Sequence, residues 1–190
     1  MTESPLAELQ DWNLLPVIGR GGFKIVHGIE KAGVQEALKI TTLQAPIGTD
    51  PTEAAELTQE LRARSEREFR LLQRFQGGPV VCLGSISGQD TTWNRIPVHL
   101  YSEELLPGET LDKLVLQNRK ADMVPGETSI KTLFLTGIDV ISRLWSEKII
   151  HRDIKPQNIM VTGLENRPFV FFDLGIAFDR GSSSLTRHTL

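Results

Sequence analysis

The chain has a single cysteine, Cys82. One cysteine excludes an intrachain disulfide and any cysteine-built metal site, and it is compatible with a reducing compartment. Long apolar runs are missing as well: no stretch approaches the roughly 20 residues that a membrane helix needs. Met1 to Gln10 is polar and acidic, without the basic region and apolar core of a signal peptide. Nor is there a large excess of either charge. Lys and Arg number 21 against 24 Asp and Glu, and the resulting net charge of −3 makes no electrostatic case for nucleic acid or an anionic membrane surface. No internal repeat occurs. What remains is a globular chain, expected to be cytoplasmic, whose 190 residues allow one domain or a domain and a piece.

What is present centres on His151-Arg152-Asp153-Ile154-Lys155-Pro156-Gln157-Asn158-Ile159-Met160. A carboxylate, two cations and an amide fall within its first eight positions. Pro156 interrupts any helix and leaves Asp153 on a loop. Fifteen residues past Asn158, the apolar run Phe169-Val170-Phe171-Phe172 ends in Asp173-Leu174-Gly175. A carboxylate closing a buried strand is costly unless it is paired or holds a metal. Two acids and an amide on neighbouring loops suit metal-assisted phosphoryl transfer, in which one carboxylate handles a hydroxyl proton and the other groups hold Mg²⁺.

Taken in order, residues 1–12 read as a lead-in. Asn13–Ile18 and Phe23–Ile29 read as strands around the glycine turn Gly19-Arg20-Gly21-Gly22. Val34–Ile40 is a third strand, with Ala37 and Lys39 on one face and Leu38 and Ile40 on the other. Asp50 or Thr52 caps a helix running to about Phe75, on which Glu68, Leu72 and Phe75 share a face. Gly77-Gly78-Pro79 stops it. Val80–Ser87 and Ile96–Glu103 complete five expected strands, joined by a polar turn over Gly88–Asn94. Beyond the linker Leu106–Glu109 the pattern becomes helical: a short helix to about Asn118, then a longer one over Thr128–Glu147. On the longer helix, Phe134, Ile138, Ile141 and Trp145 form a stripe expected to face the core.

The glycine turn lets backbone N–H groups approach phosphates without side-chain clash, although a hairpin uses the same residues. Lys39, if it points under that turn, neutralises phosphate and needs a carboxylate to fix it. Glu68 is the candidate, with Glu66 the alternative on nearly the same face.

These motifs, in this order, resemble a eukaryotic-type (Hanks-type) serine/threonine protein kinase domain, including the related bacterial enzymes. Gly19 to Val26 resembles the glycine-rich loop, with Lys24 where the third glycine stands; a lysine there lacks glycine's φ freedom but could still cover phosphate. Ala37-Leu38-Lys39 resembles the third-strand lysine motif, and Arg67-Glu68-Phe69-Arg70-Leu71-Leu72 the helix C segment with its glutamate. His151-Arg152-Asp153 to Asn158 resembles the catalytic loop, and Asp173-Leu174-Gly175 is similar to the metal-binding motif in its Leu form. The resemblance covers about Leu14 to Leu190.

It implies an α+β fold: a five-stranded antiparallel N-lobe with helix C over 13–105, and over 106–190 an incomplete, mainly helical C-lobe with helices D and E, the two loops and the start of the activation segment. The implied activity is ATP- and Mg²⁺-dependent phosphoryl transfer to Ser or Thr of a protein substrate. Asp153 would accept or orient the hydroxyl proton and Lys155 would neutralise the transferred phosphoryl. Gly19, Arg20, Gly21, Gly22, Phe23, Val26, Ala37, Lys39, Glu68, Glu104 and Leu106 would bind ATP, and Asn158 and Asp173 the metal. Arg152 implies control by phosphate on one of Ser182, Ser183, Ser184, Thr186 or Thr189. Glu103 falls where the family usually has an apolar or small residue, though Tyr101-Ser102-Glu103-Glu104-Leu105 offers two frames. The chain ends fifteen residues after Gly175, before the Ala-Pro-Glu motif, so a truncated domain is expected. The alternative is a catalytically impaired fragment or pseudokinase that serves as a nucleotide-binding or interaction module.

Overall fold

A computed structural model describes residues 9–75, 77–121 and 126–180 of the chain. Five strands form an antiparallel sheet in the order β1-β2-β3-β5-β4: β1 Asn13–Arg20, β2 Lys24–Lys31, β3 Val34–Thr42, β4 Gln89–Trp93 and β5 Ile96–Glu104. Pro16 lies on the edge strand β1, where its missing N–H is tolerated and where the register with β2 slips between Leu14 and Val17. Two-residue turns link β2 to β3 and β4 to β5. Ala32 and Gly33, and Asn94 and Arg95, all take positive φ, the backbone of the I′ hairpin that matches strand twist.

The fourth strand differs from the one expected. Val80–Ser87 holds only isolated bridges, and the residues read as a polar turn, Gln89–Trp93, make β4. Side chains replace ladder bonds over the misread segment. Both carboxylate oxygens of Glu36 on β3 accept the Ser85 N–H at 3.0 Å, and Glu104 Oε1 accepts the Cys82 N–H at 2.7 Å. A Cβ at Gly84 would stand 2.4 Å from Glu36 Oε2 and from Ser102 Oγ, so a larger residue there must displace these two hydrogen-bonded side chains.

Helix α1, Pro51–Phe75, starts where Asp50 Oδ1 accepts the N–H groups of Thr52 at 2.8 Å and Glu53 at 3.4 Å, so Asp50 rather than Thr52 is the cap. It packs against β3 and β5. Leu38 and Ile40 of β3 belong instead to an apolar cluster with Leu9, Ile29, Ile86, Val98 and Leu100, flanked by Trp12 and Trp93. The end of the lead-in is thus part of this core.

Among the described residues, 9–75 and Val81–Leu106 make one compact unit, and Gly77–Val80 with 107–180 the second. Gly77–Val80, read with the first domain from sequence, is tied into the second. Arg143 Nη1 donates to the Gly77 carbonyl, Arg167 Nε to that of Gly78, and the Phe171 N–H to that of Pro79.

The second unit contains β6 Glu109–Thr110, α2 Leu111–Lys120, α3 Glu127–Ser146, β7 Ile149–Ile150, a 3-10 turn at Pro156–Asn158, β8 Ile159–Val161, β9 Phe169–Phe171 and β10 Phe178–Asp179. Its strands form a β6-β8-β9 sheet and a β7-β10 pair. Gly108 takes φ +90° under Val161, whose carbonyl oxygen would lie 2.0 Å from any Cβ. Helix α3 packs on β7 and β9 and buries Val140 and Leu144. The expected core stripe does not: Phe134 is 67% exposed, Ile138 58%, Ile141 49% and Trp145 62%. Apolar residues occur on more than one face of this helix, so periodicity alone offers two stripes, one residue (about 100°) apart. No helix among the described residues is long and apolar enough to cross a membrane.

Candidate active site

The first unit builds a buried ionic cluster from period-two alternation. Ala37 pairs with Glu103 and Lys39 with Tyr101 across β3 and β5, so all four side chains emerge on the face covered by α1. Lys39 Nζ lies 2.8 Å from Glu68 Oε1 and 2.6 Å from Glu103 Oε1, and 5.7 Å from the centroid of the Tyr101 ring beneath it. Lys24, at the start of β2, donates to the other Glu68 oxygen at 2.7 Å. Burial would raise the Glu68 carboxyl, but the Lys24 and Lys39 ammoniums overcome it and hold it well below the usual carboxylate range. Glu103 shares Lys39 with Glu68, and burial pushes its carboxyl above the ordinary value.

The glycine turn sits beside this cluster in sequence. Gly19 pairs with Val26, and the Gly21 N–H reaches the Lys24 carbonyl at 2.7 Å. Neither Gly21 nor Gly22 is among the glycines with positive φ, so hairpin geometry does not demand glycine here. At Gly22 a Cβ would meet nothing within 4 Å. The two positions keep side-chain bulk away from an open turn, with Arg20 exposed and Phe23 half-buried at its edges. Ala37 is buried on β3; Glu104, which holds Cys82, and half-buried Leu106 end the unit.

The second unit builds its loop around Asp153. Lys155 Nζ and Asn158 Nδ2 both donate to Asp153 Oδ2 at 2.8 Å, and Asn158 Nδ2 also reaches the Asp153 carbonyl at 2.9 Å. The hydrogen bond to Asp153 raises the exposed Lys155 ammonium's pKa. Asn158 closes the 3-10 turn that starts at Pro156, and its carbonyl accepts the Phe172 N–H at 3.1 Å. This last bond ties the first loop to the second, one residue before Asp173.

Arg152 and Asp173 take left-handed backbone, at φ 67° and 66°. Such conformations are uncommon outside glycine and persist where the surroundings enforce them. The Arg152 guanidinium stacks 4.3 Å from the Phe178 ring centroid, and Phe178 is fixed by pairing with Ile150. Ser182, Ser183, Ser184, Thr186 and Thr189 lie outside the described residues.

The donor set suits Mg²⁺. Asn158 and Asp173 offer hard oxygen atoms, and Mg²⁺ is typically held by one or two carboxylates plus phosphate and water rather than by an all-protein cage. With Asn158 Nδ2 turned to Asp153, the amide oxygen is the atom that would ligate.

Sequence reasoning named Lys39 and Glu68 but missed that Lys24 and Glu103 join them. From sequence, Lys24 is a replaced glycine that could still cover phosphate and Glu103 a residue in an unusual place; neither reading includes the contact with Glu68 or Lys39. Their contacts span 44 and 64 positions, beyond any local pattern.

Comparison with known proteins agrees with the geometry. A family described as the protein kinase domain matches residues 12–189. A probable serine/threonine-protein kinase of Streptomyces coelicolor is 28% identical over 92% of this chain and 24% of its own length. Serine/threonine-protein kinase PknA of Nostoc is 27% identical over 86% of this chain and 27% of its own. PknH of Mycobacterium tuberculosis is 27% identical over 93% of this chain and 25% of its own. The chain thus spans about a quarter of the length of these relatives. With the family match running over nearly its whole length, the α+β chain belongs to the protein kinase domain family.

Proposed function

We propose that this chain binds ATP with Mg²⁺ and serves the transfer of the γ-phosphoryl group to serine or threonine hydroxyls of a protein. The observation that carries the reading is the Asp153 carboxylate, oriented on its loop by Lys155 and Asn158 at 2.8 Å each. A carboxylate so held can accept the proton of an incoming hydroxyl, and Lys155 beside it can neutralise charge on the phosphoryl in transit. Mg²⁺, when bound, neutralises charge on the phosphates, and Asn158 and Asp173 would hold it. Lys39, fixed by Glu68, would meet the α- and β-phosphates. The turn Gly19-Arg20-Gly21-Gly22-Phe23 would cover the phosphates, Val26 and Ala37 would contact the base, and backbone groups of Glu104 and Leu106 would read its edge. A cytoplasmic location belongs to the same proposal and rests on the need for ATP.

The test is transfer of radiolabelled phosphate from ATP to the chain itself or to a generic basic protein. Wild type should transfer, and Asp153→Ala should lower the rate by about 10²–10⁴, the usual worth of a positioned base. Transfer that survives Asp153→Ala would remove Asp153 from the role. A chain that binds MgATP but transfers nothing would be a nucleotide-binding module instead.

A further inference from the structure

Lys24 and Lys39 come from adjacent strands and take the two oxygens of one carboxylate, Glu68 Oε2 at 2.7 Å and Oε1 at 2.8 Å. They differ in what each can offer a ligand. The Lys39 side chain is 6% exposed and lies between two carboxylates, Glu68 and Glu103. The Lys24 side chain is 25% exposed and lies two residues past Gly22 on the open turn, where nothing would crowd even an added Cβ.

Charge points the same way. Two ammoniums and two carboxylates make these four side chains neutral as a set. Without Lys24 the same place would hold two acids and one cation, a net negative seat for a polyphosphate. Nor does a merely surface-seeking lysine explain the arrangement. Lys39 takes one Glu68 oxygen and is shared with Glu103, so Lys24 on the other oxygen balances the second acid, but it gives up side-chain freedom and stands close to a like charge. An anion that reaches the accessible ammonium relieves that repulsion.

We infer that Lys24 is a second phosphate-binding lysine. Glu68 positions both lysines, Glu103 retains Lys39, and Lys24 is the ammonium that meets the phosphate oxygens of the nucleotide most directly. This rests on the nucleotide-binding reading above; sequence allows Lys24 to cover phosphate, and the ion pair with Glu68 gives it a fixed position and a partner for doing so.

Calorimetric titration of the whole chain with adenosine and with MgATP separates the possibilities, with circular dichroism reporting the fold of each variant. Lys24→Ala should weaken MgATP about tenfold or more, the scale of one lost charge-assisted contact, and leave adenosine unchanged. Lys24→Arg should restore much of the loss. Lys39→Ala should retain residual MgATP affinity that the Lys24→Ala/Lys39→Ala double substitution removes. Equal weakening of adenosine and MgATP by Lys24→Ala would make Lys24 a structural residue and overturn the inference. So would a Lys24→Ala chain that binds MgATP like wild type, while loss of affinity on Lys39→Ala alone would leave the nucleotide reading standing. Wild type that binds neither ligand overturns both.

Discussion

Glu68 and Glu103 illustrate how two buried acids around one lysine acquire opposite titration behaviour. Glu68 has two cations and is held below its ordinary pKa despite burial; burial raises Glu103, which shares Lys39. A carboxyl lowered on folding contributes stability that is fully present above its unfolded pKa of about 4.3 and is lost as the pH falls below it. A carboxyl raised on folding costs stability that sets in as the pH climbs through that value. Glu68→Gln should therefore flatten the loss of stability below about pH 4.3. Glu103→Gln, which keeps an oxygen for Lys39, should gain on wild type as the pH rises from about 4 to 7. Urea unfolding across that range gives both slopes, and a Glu103→Gln difference independent of pH would refute the assignment. The Lys39–Glu68 pair was legible in the sequence; the shared Glu103 and the second cation Lys24 were not. Asp153, Asn158 and Asp173 stand in short motifs whose chemistry is local, whereas Glu103 gains its meaning only from its diagonal position to Lys39 across a strand pair.

Elements were legible where the chain carries its own punctuation. Gly77 follows the end of α1, Asp50 caps its start, and the apolar runs of β8 and β9 pair across a turn that includes Gly163. Legibility failed where side chains or a second apolar face decide. Val80–Ser87 has strand composition, but Glu36 and Glu104 capture its N–H groups. Helix α3 shows two apolar stripes, and the sheet beneath selects Val140 and Leu144 over Ile138 and Ile141. Stability should follow the structure rather than the periodicity. Leu144→Ala, at 2% exposure, should cost about 2–5 kcal/mol, while Ile138→Ala on the exposed stripe should stay within about 0.5 kcal/mol. Chemical denaturation monitored by helical circular dichroism compares the two; equal costs would mean that the exposed stripe is covered in solution.

At the scale of the whole molecule, the family was legible because its motifs are spread along the chain, and no single one decides it. The glycine turn alone is a hairpin, and Lys39 alone a lysine on a strand. It is their order with Glu68, His151 to Asn158 and Asp173 that leaves one family, and the match over 12–189 follows that order. The two compact units each carry part of the set: Lys39 and Glu68 in the first, Asp153, Asn158 and Asp173 in the second. A ligand that binds only the folded chain raises stability by RT ln(1 + [L]/Kd), about 2.7 kcal/mol at a hundredfold excess over Kd. For a chain of this size that is a rise of roughly 5–10 °C in melting temperature. ATP with Mg²⁺ should produce such a rise, and EDTA should remove most of it, because two hard oxygen ligands and the phosphates need the ion to neutralise them. Asp173→Ala should show the small rise of metal-free ATP whether or not Mg²⁺ is added. A wild-type rise that EDTA leaves unchanged would mean that nucleotide binds without the metal, and would take Asn158 and Asp173 out of the site while leaving Lys39 and Lys24 in it.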